Sequence, residues 1–361
     1  MIVFIVSFIS PHTLPLGKEL AKYQDVVFIN TIALTEERRK LGYDIKDDNV
    51  KIYNLYSEPE VCMNLTDTAE CVVFAMTFGF GILKSRLKEN KLTFLMSERI
   101  FKKGIIKWFD KRTYELMLFC KCVKEKNVYL LSIGENAAMD FRILGFNKDK
   151  IFRFGYFPEL EETVRRVEKK DKTCNILWVG RMVDFKRPML AVRAIKGLSE
   201  KYRLTMIGDG VLYEKVKNYA KNNGLNIEFC GNRDHTFVIN KMRVSDILLS
   251  TSHKGEGWGT VINEGMNCGC AIVCSCDIGC AGTLANHDNS IIFRGNSSLS
   301  VRNALLKAEK ELLTISLNAQ DTIEKHVNPA IAAKRFNKLL EVILNGESNI
   351  FDKGLCSKSF L

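Results

Sequence analysis

Asn175-Ile-Leu-Trp-Val-Gly-Arg-Met-Val-Asp-Phe-Lys-Arg-Pro188 is an apolar run that stops at Gly180, gives way to a charged loop and meets a proline. The run Ile-Leu-Trp-Val suits a strand buried on both faces. A proline after the loop suits the first turn of a helix. Strand, Gly-containing loop and helix form the repeating unit of a parallel α/β sheet. The same alternation continues downstream. The helix runs over 188–201, strands follow at 203–208, 227–230, 246–250, 271–274 and 290–293, and helices at 212–222 and 260–267. Residues 299–312 and 328–344 read as closing helices. Upstream, 2–10, 25–30, 72–76, 92–96, 128–132 and 151–154 read as strands, with helices over 16–23 and across 114–122.

A chain of 361 residues suits two domains of roughly 150 residues, each able to bury its own core. Residues 1–158 form the expected first domain and 173–325 the second, both α/β and Rossmann-like. Residues 159–172 are charged, lack an apolar stripe and read as an exposed connection. Residues 326–361 are expected as a C-terminal helix and tail able to cross back to the first domain.

No apolar run reaches the roughly 18 residues that span a bilayer. The start, Met1-Ile-Val-Phe-Ile-Val-Ser-Phe-Ile-Ser10, has no basic residue before it and no small-residue cleavage site after it. It reads as a buried strand, and a cytoplasmic location is expected. Five of the 12 cysteines crowd together as Cys268, Cys270, Cys274, Cys276 and Cys280. Their spacing lacks the Cys-x-x-Cys pairs of zinc sites. They read as small, buried, reduced thiols, and no metal is expected.

The formal net charge of +11 favours an anionic partner. Between residues 84 and 126 stand 13 Lys/Arg against 5 Asp/Glu. In Phe101-Lys-Lys-Gly-Ile-Ile-Lys-Trp-Phe-Asp-Lys-Arg112 the cations interleave with Ile, Trp and Phe. Two readings stand side by side: peripheral contact with anionic lipid at the inner face of a membrane, or a solvated helix face. No nucleic-acid motif accompanies the charge, so nucleic acid is not an expected partner.

Chemistry-bearing residues concentrate in the second half. Arg181 and Lys186 follow Gly180 in the loop after an apolar strand, where doubly wound sheets hold their ligands. An Arg fork and a Lys point charge together suit a diphosphate. In Leu204-Thr-Met-Ile-Gly-Asp-Gly210, Gly208 lets a strand turn sharply, either as a plain connection or close to a ligand. The sharpest signal is Ser252-His-Lys-Gly-Glu-Gly-Trp-Gly-Thr-Val-Ile-Asn-Glu264. Two carboxylates, Glu256 and Glu264, flank Gly257, Trp258, Gly259 and Thr260 at the entry to a helix. Backbone N–H groups at such an entry favour phosphate, and two acids in a Gly-rich loop are poor core material. A further Gly-rich loop, Asp277-Ile-Gly-Cys-Ala-Gly282, either closes over the same crevice or is an ordinary connection.

In this order and spacing the segments resemble the retaining glycosyltransferases of family 4, the glycosyl transferases group 1. Val-Gly-Arg with Lys five residues on, Ile-Gly-Asp-Gly, Phe-Cys-Gly231, Ser245-Asp-Ile-Leu-Leu-Ser-Thr-Ser252, Glu-Gly-Trp-Gly-(four residues)-Glu and His287-Asp-Asn-Ser-Ile-Ile-Phe293 carry the likeness over about 175–293. It implies the GT-B fold, two Rossmann-like domains facing each other across a cleft, with the acceptor bound by the N-terminal one. It also implies roles. Arg181 and Lys186 bind the donor diphosphate and, with Glu256 at the transferred sugar, form the catalytic set. Glu264 takes the ribose hydroxyls. Gly180, Gly208, Gly257, Trp258, Gly259 and Thr260 line the donor, with Gly231 and Asn232 near the base. The N-terminal half departs from the pattern. The first loop, Ser10-Pro-His-Thr-Leu-Pro-Leu-Gly17, has one glycine where many members have a pair. Leu95-Met-Ser-Glu98 stands where many place a His. His12, Gly17, Ser97 and Glu98 are the acceptor-side candidates.

The implied activity is sugar transfer from a nucleoside-diphosphate sugar, as co-substrate, to a glycan or lipid-linked glycan, with no cofactor required. Charge stabilisation on the departing diphosphate is the expected main catalytic effect. A non-catalytic nucleotide-sugar-binding or scaffolding subunit is the alternative. A nicotinamide oxidoreductase is excluded, because no strand runs into Gly-x-Gly-x-x-Gly with an acid about 20 residues on.

Overall fold

The structure is a computed structural model and describes residues 1–36, 39, 45, 47, 49–75, 79–102, 104, 110–162, 165–167, 173–347 and 351–359. The chain forms two compact units, Met1–Glu159 with Asn328–Leu361, and Leu160–Val327.

In chain order the first unit contains β1 (Ile2–Val6), α1 (Leu14–Leu20), β2 (Val26–Asn30), β3 (Lys51–Asn54), α2 (Pro59–Thr68), β4 (Cys71–Phe74) and α3 (Lys84–Lys88). It continues with β5 (Thr93–Ser97), α4 (Lys111–Cys122), β6 (Val128–Ile133), α5 (Glu135–Ile143) and β7 (Ile151–Phe154). The strands form one sheet in the order β3-β2-β1-β4-β5-β6-β7, parallel throughout. β1 lies between β2 and β4 and is buried along its whole length, which is why the chain begins with an unbroken apolar run. β3 and α2 escaped the sequence reading. β3 is a half-exposed edge strand, Lys-Ile-Tyr-Asn, and α2 buries only Cys62 and Thr66, so neither shows an apolar pattern. α1 packs hard on β2: a Cβ at Gly17 would lie 2.5 Å from the Phe28 ring.

The second unit contains β8 (Cys174–Val179), α6 (Pro188–Ile195), β9 (Tyr202–Ile207), α7 (Tyr213–Asn222), β10 (Ile227–Gly231), α8 (His235–Val244), β11 (Ile247–Ser250), α9 (Val261–Asn267), β12 (Ala271–Ser275), β13 (Ser290–Phe293), α10 (Ser298–Lys310) and α11 (Leu312–Lys325). Its sheet order is β10-β9-β8-β11-β12-β13, again parallel. Both sheets thus have the doubly wound order of Rossmann-like domains. α6 stops at Ile195, short of the expected 201, two residues before Gly197, where a Cβ would meet the Arg302 guanidinium at 2.1 Å. α8 and α11 were not foreseen.

The last helix, α12 (Pro329–Leu344), belongs to the first unit. Asn328 caps it through a bond from the Ile331 N–H. Its Phe336 ring packs 5.2 Å from that of Phe94 and 6.0 Å from that of Phe154. The tail pairs antiparallel with the β7 edge at Phe152 and Lys358.

The stretch expected as an exposed connection is exposed where it is described, at Glu159, Leu160, Glu162, Arg165 and Val167, while Glu161 and Arg166 are half-buried. Arg166 forms an ion pair with the buried Asp246 and donates to the Ser245 carbonyl at 2.6 Å. The basic stretch at 84–126 is less open than its composition suggests. Arg86 is fully buried and donates to the carbonyls of Thr66, Ala69, Glu70 and Leu92. Arg99 faces Asp140, and Lys102 pairs with Glu98. Residues 103 and 105–109, the aromatic–cationic heart of that stretch, lie outside the described residues. No helix among the described residues is long and apolar enough to cross a membrane.

Candidate active site

In a doubly wound sheet the connections leave in opposite directions from two neighbouring central strands, and a crevice opens beyond their C-terminal ends. In the second unit those strands are β8 and β11. The loop after β8 carries Arg181 and Lys186, and the loop after β11 carries Glu256.

Backbone contacts hold these loops. Gly180 N–H donates to the Ile207 carbonyl at 3.0 Å, and Gly208 N–H to the Gly231 carbonyl at 2.7 Å. Gly208 has φ +128°, and a Cβ there would lie 2.0 Å from the Gly180 oxygen, so only glycine fits. The loops after β8, β9 and β10 therefore touch backbone to backbone. On the other side, Cys280 N–H donates to the Trp258 carbonyl at 3.0 Å, and a Cβ at Gly279 would lie 1.7 Å from the Gly257 oxygen. The Asp277–Gly282 loop thus buttresses the turn that follows Glu256.

Arg187 joins the loops through side-chain bonds, a role the sequence did not signal. It stands in the left-handed region at φ +49° immediately before Pro188. Its guanidinium donates to the carbonyls of Thr251 (2.7 Å) and Ser252 (3.0 Å) and to Ser275 Oγ (3.0 Å). Burial pulls its pKa down, and the Asp277 carboxylate opposes that. Thr251 completes the clamp: its hydroxyl donates to the Lys186 or Arg187 carbonyl and accepts from the Trp178 indole.

Within this frame Lys186 and Glu256 form an ion pair, both side chains 15% exposed. Ser252 Oγ donates to Glu256 Oε2 at 3.1 Å. The Arg181 guanidinium and the Lys186 ammonium each lie 5.8 Å from the Phe185 ring centroid. Arg181 is exposed. Gly257, Trp258 and Gly259 are buried, yet none of the backbone N–H groups of residues 257–260 is bonded to an acceptor among the described residues. The Trp258 indole is committed to the core, donating to Asn263 Oδ1 at 2.9 Å. Gly259 has φ +92°, with Ile278 where a Cβ would project.

Glu264 lies one turn into α9, its N–H bonded to the Thr260 carbonyl. Its Oε1 is 3.3 Å from His235 Nε2. That contact, more than the opposing desolvation, raises the His235 pKa above its ordinary value. Gly231 turns the chain at φ +65°, with Asn232 exposed beside it. Side-chain contacts join Lys186 to Glu256, and Arg181 shares only the Phe185 ring with Lys186; Glu264 has a separate basic partner.

Of the acceptor-side candidates, His12 lies before α1 with its ring 6.2 Å from that of Tyr156, and Gly17 serves the packing on Phe28. Ser97 is buried at the end of β5 and donates to the Glu98 carbonyl. The clustered cysteines are buried except Cys276, which is half-buried; burial pushes Cys268 and Cys274 up to about 12. Among the described residues no three His, Cys, Asp or Glu side chains gather as a metal-binding set.

Residues 160–321 match the family described as glycosyl transferases group 1. Over 291 residues the chain is 28% identical to the uncharacterized glycosyltransferase MJ1069 of Methanocaldococcus jannaschii, spanning 74% of this chain and 72% of that one. Among solved structures, Anabaena HepE in complex with UDP aligns with a TM-score of 0.72 at 13% identity, covering 94% of this chain and 99% of that one. The lipopolysaccharide outer core galactosyltransferase WaaB aligns with a TM-score of 0.69 at 14% identity, covering 96% and 99%. The chain thus resembles the glycosyl transferases group 1 over residues 160–321, is similar over most of its length to a glycosyltransferase, and has the two-sheet α/β fold of GT-B glycosyltransferases.

Proposed function

We propose that this chain is a family 4 enzyme that moves a hexose-type sugar from a nucleoside-diphosphate sugar to a glycan or lipid-linked glycan, with retention at the anomeric carbon. UDP- and GDP-sugars are the first donors to consider, and surface polysaccharide or glycoconjugate assembly the setting. The observation that carries this reading is the Lys186–Glu256 ion pair between loops at the ends of adjacent strands, with Arg181 and Lys186 both over the Phe185 ring. The N–H groups of residues 257–260, which bond no acceptor among the described residues, add donors in the turn after Glu256.

In this reading Arg181 and Lys186 hold the diphosphate and stabilise the charge that grows on it as the glycosidic bond breaks. Stabilisation of developing charge by preplaced donors is commonly the largest catalytic effect. Glu256 accepts hydroxyls of the sugar and Glu264 those of the ribose. Gly180, Gly208, Gly231, Asn232 and Thr260 line the donor. His12, Gly17, Ser97 and Glu98 serve the acceptor side, and the basic stretch at 84–126 brings the protein to anionic lipid.

A thermal-shift panel of UDP-, GDP- and ADP-sugars tests the donor reading. A ligand that binds only the folded protein raises its melting temperature with the logarithm of its excess over Kd. One nucleotide class should do so at sub-millimolar concentration. No shift with any of them, up to millimolar concentration, rejects the donor site.

A further inference from the structure

Lys186 and Glu256 are assigned above to opposite ends of one donor, yet in the structure they are each other's partner. Both are largely shielded from water, so their attraction is only weakly screened. Glu256 Oε2 is engaged by Lys186 and Ser252, while Oε1 has no partner among the described residues. Lys186 offers several N–H donors but a single charge. A diphosphate arriving alone draws that charge away and leaves a shielded carboxylate held only by the Ser252 hydroxyl. A shielded carboxylate that loses its cation is costly. A diphosphate that brings a sugar delivers hydroxyl donors to the same carboxylate at the same moment.

We propose, resting on the donor-site reading above, that the Lys186–Glu256 pair makes the site discriminate the intact nucleotide sugar from the free nucleoside diphosphate. Glu256 opposes the diphosphate unless a sugar accompanies it. Loaded donor is thereby retained and spent nucleotide released, although both carry the same diphosphate. No bond is made or broken in this step; it is a difference between two binding free energies.

The test compares Glu256→Gln with wild type by calorimetry. The ligands are the nucleotide sugar that stabilises wild type in the panel, and its nucleoside diphosphate. The amide keeps the shape of the side chain and releases the charge of Lys186. The diphosphate should bind the variant roughly tenfold more tightly or better, the scale of one charge-assisted hydrogen bond, while the intact donor gains nothing. Glu256→Ala, with its fold checked by circular dichroism, should change the diphosphate affinity in the same direction. An unchanged or weaker diphosphate affinity in both variants overturns the coupling while leaving the donor site intact. An equal gain for both ligands also overturns it, because that is a general loss of repulsion. If wild type binds neither the nucleotide sugar nor its nucleoside diphosphate, the donor-site reading falls and takes the coupling with it.

Discussion

At the residue scale the site rests on a few charged groups with assigned tasks. Lys186 is the most exacting. Replacing it with alanine should reduce turnover about 100-fold to 1000-fold, the usual effect of losing one contact to developing charge. The melting temperature should fall as well, since the shielded Glu256 carboxylate loses its cation, so turnover is compared at a temperature where circular dichroism shows the variant folded. Wild-type turnover in purified Lys186→Ala removes the residue from the mechanism. His235 provides a pH signature. Its folded-state pKa is raised by the hydrogen bond and charge of Glu264, with Glu161 and Asp234 adding to the effect and desolvation opposing it. The stability it contributes is fully present below its ordinary value of about 6.5 and is lost as pH rises through the higher folded-state value. An imidazole NMR titration should show the midpoint above 6.5, and Glu264→Gln should bring it back down. The same variant should weaken binding of the nucleoside diphosphate if Glu264 holds the ribose. A wild-type midpoint at or below 6.5 denies the contact.

At the scale of elements, the loops at the strand ends are held by near-zero clearance. Gly208 against Gly180 and Gly279 against Gly257 are backbone-on-backbone contacts with no room for a methyl group. Gly279→Ala should push the turn over residues 257–260 outward. The fold should survive a loss of about 1–3 kcal/mol, the usual cost of overpacking, and nucleoside-diphosphate affinity should fall. Urea denaturation and calorimetry on one preparation separate the two effects. Wild-type affinity in a folded Gly279→Ala protein would mean that this turn does not hold the diphosphate. The strands at this scale were legible because parallel strands buried on both faces leave continuous apolar runs, as in Ile2–Val6 and Ala271–Ser275. β3 and α2 were not, because a half-exposed edge strand and a helix that buries only Cys62 and Thr66 have no such pattern. Glu256 stood out as a carboxylate in a Gly-rich loop, and Lys186 as a cation in the loop that follows an apolar strand. Arg187, Thr251 and Ser252 did not, since their work is hydrogen bonding between loops that only the fold brings together.

At the scale of the whole molecule, α12 is distant in sequence from the unit it completes. It buries Phe336, Leu339 and Leu340 in a unit whose other helices and strands precede residue 160. Ending the chain after Val327 removes these side chains, and truncating one core phenylalanine alone typically costs about 3–5 kcal/mol. Hydrogen exchange should then show β5, β6 and β7 losing protection, while β8, β11 and β12 keep theirs and the nucleotide-induced thermal shift persists. Undiminished protection of β5 and β6 would deny α12 its part in that core.

The sequence by itself determined the two parallel α/β sheets and where the charged chemistry lies. Burial on both faces and sharp βα turns impose local signatures that survive in one dimension: apolar runs, and glycines where the backbone must turn. Which side chains become partners was decided only by the tertiary structure. Lys186 facing Glu256, Glu264 facing His235, Arg86 sunk among carbonyls and α12 returning to the first unit are all encounters between residues far apart along the chain. Their short-range contacts exist only once the sheets have been assembled.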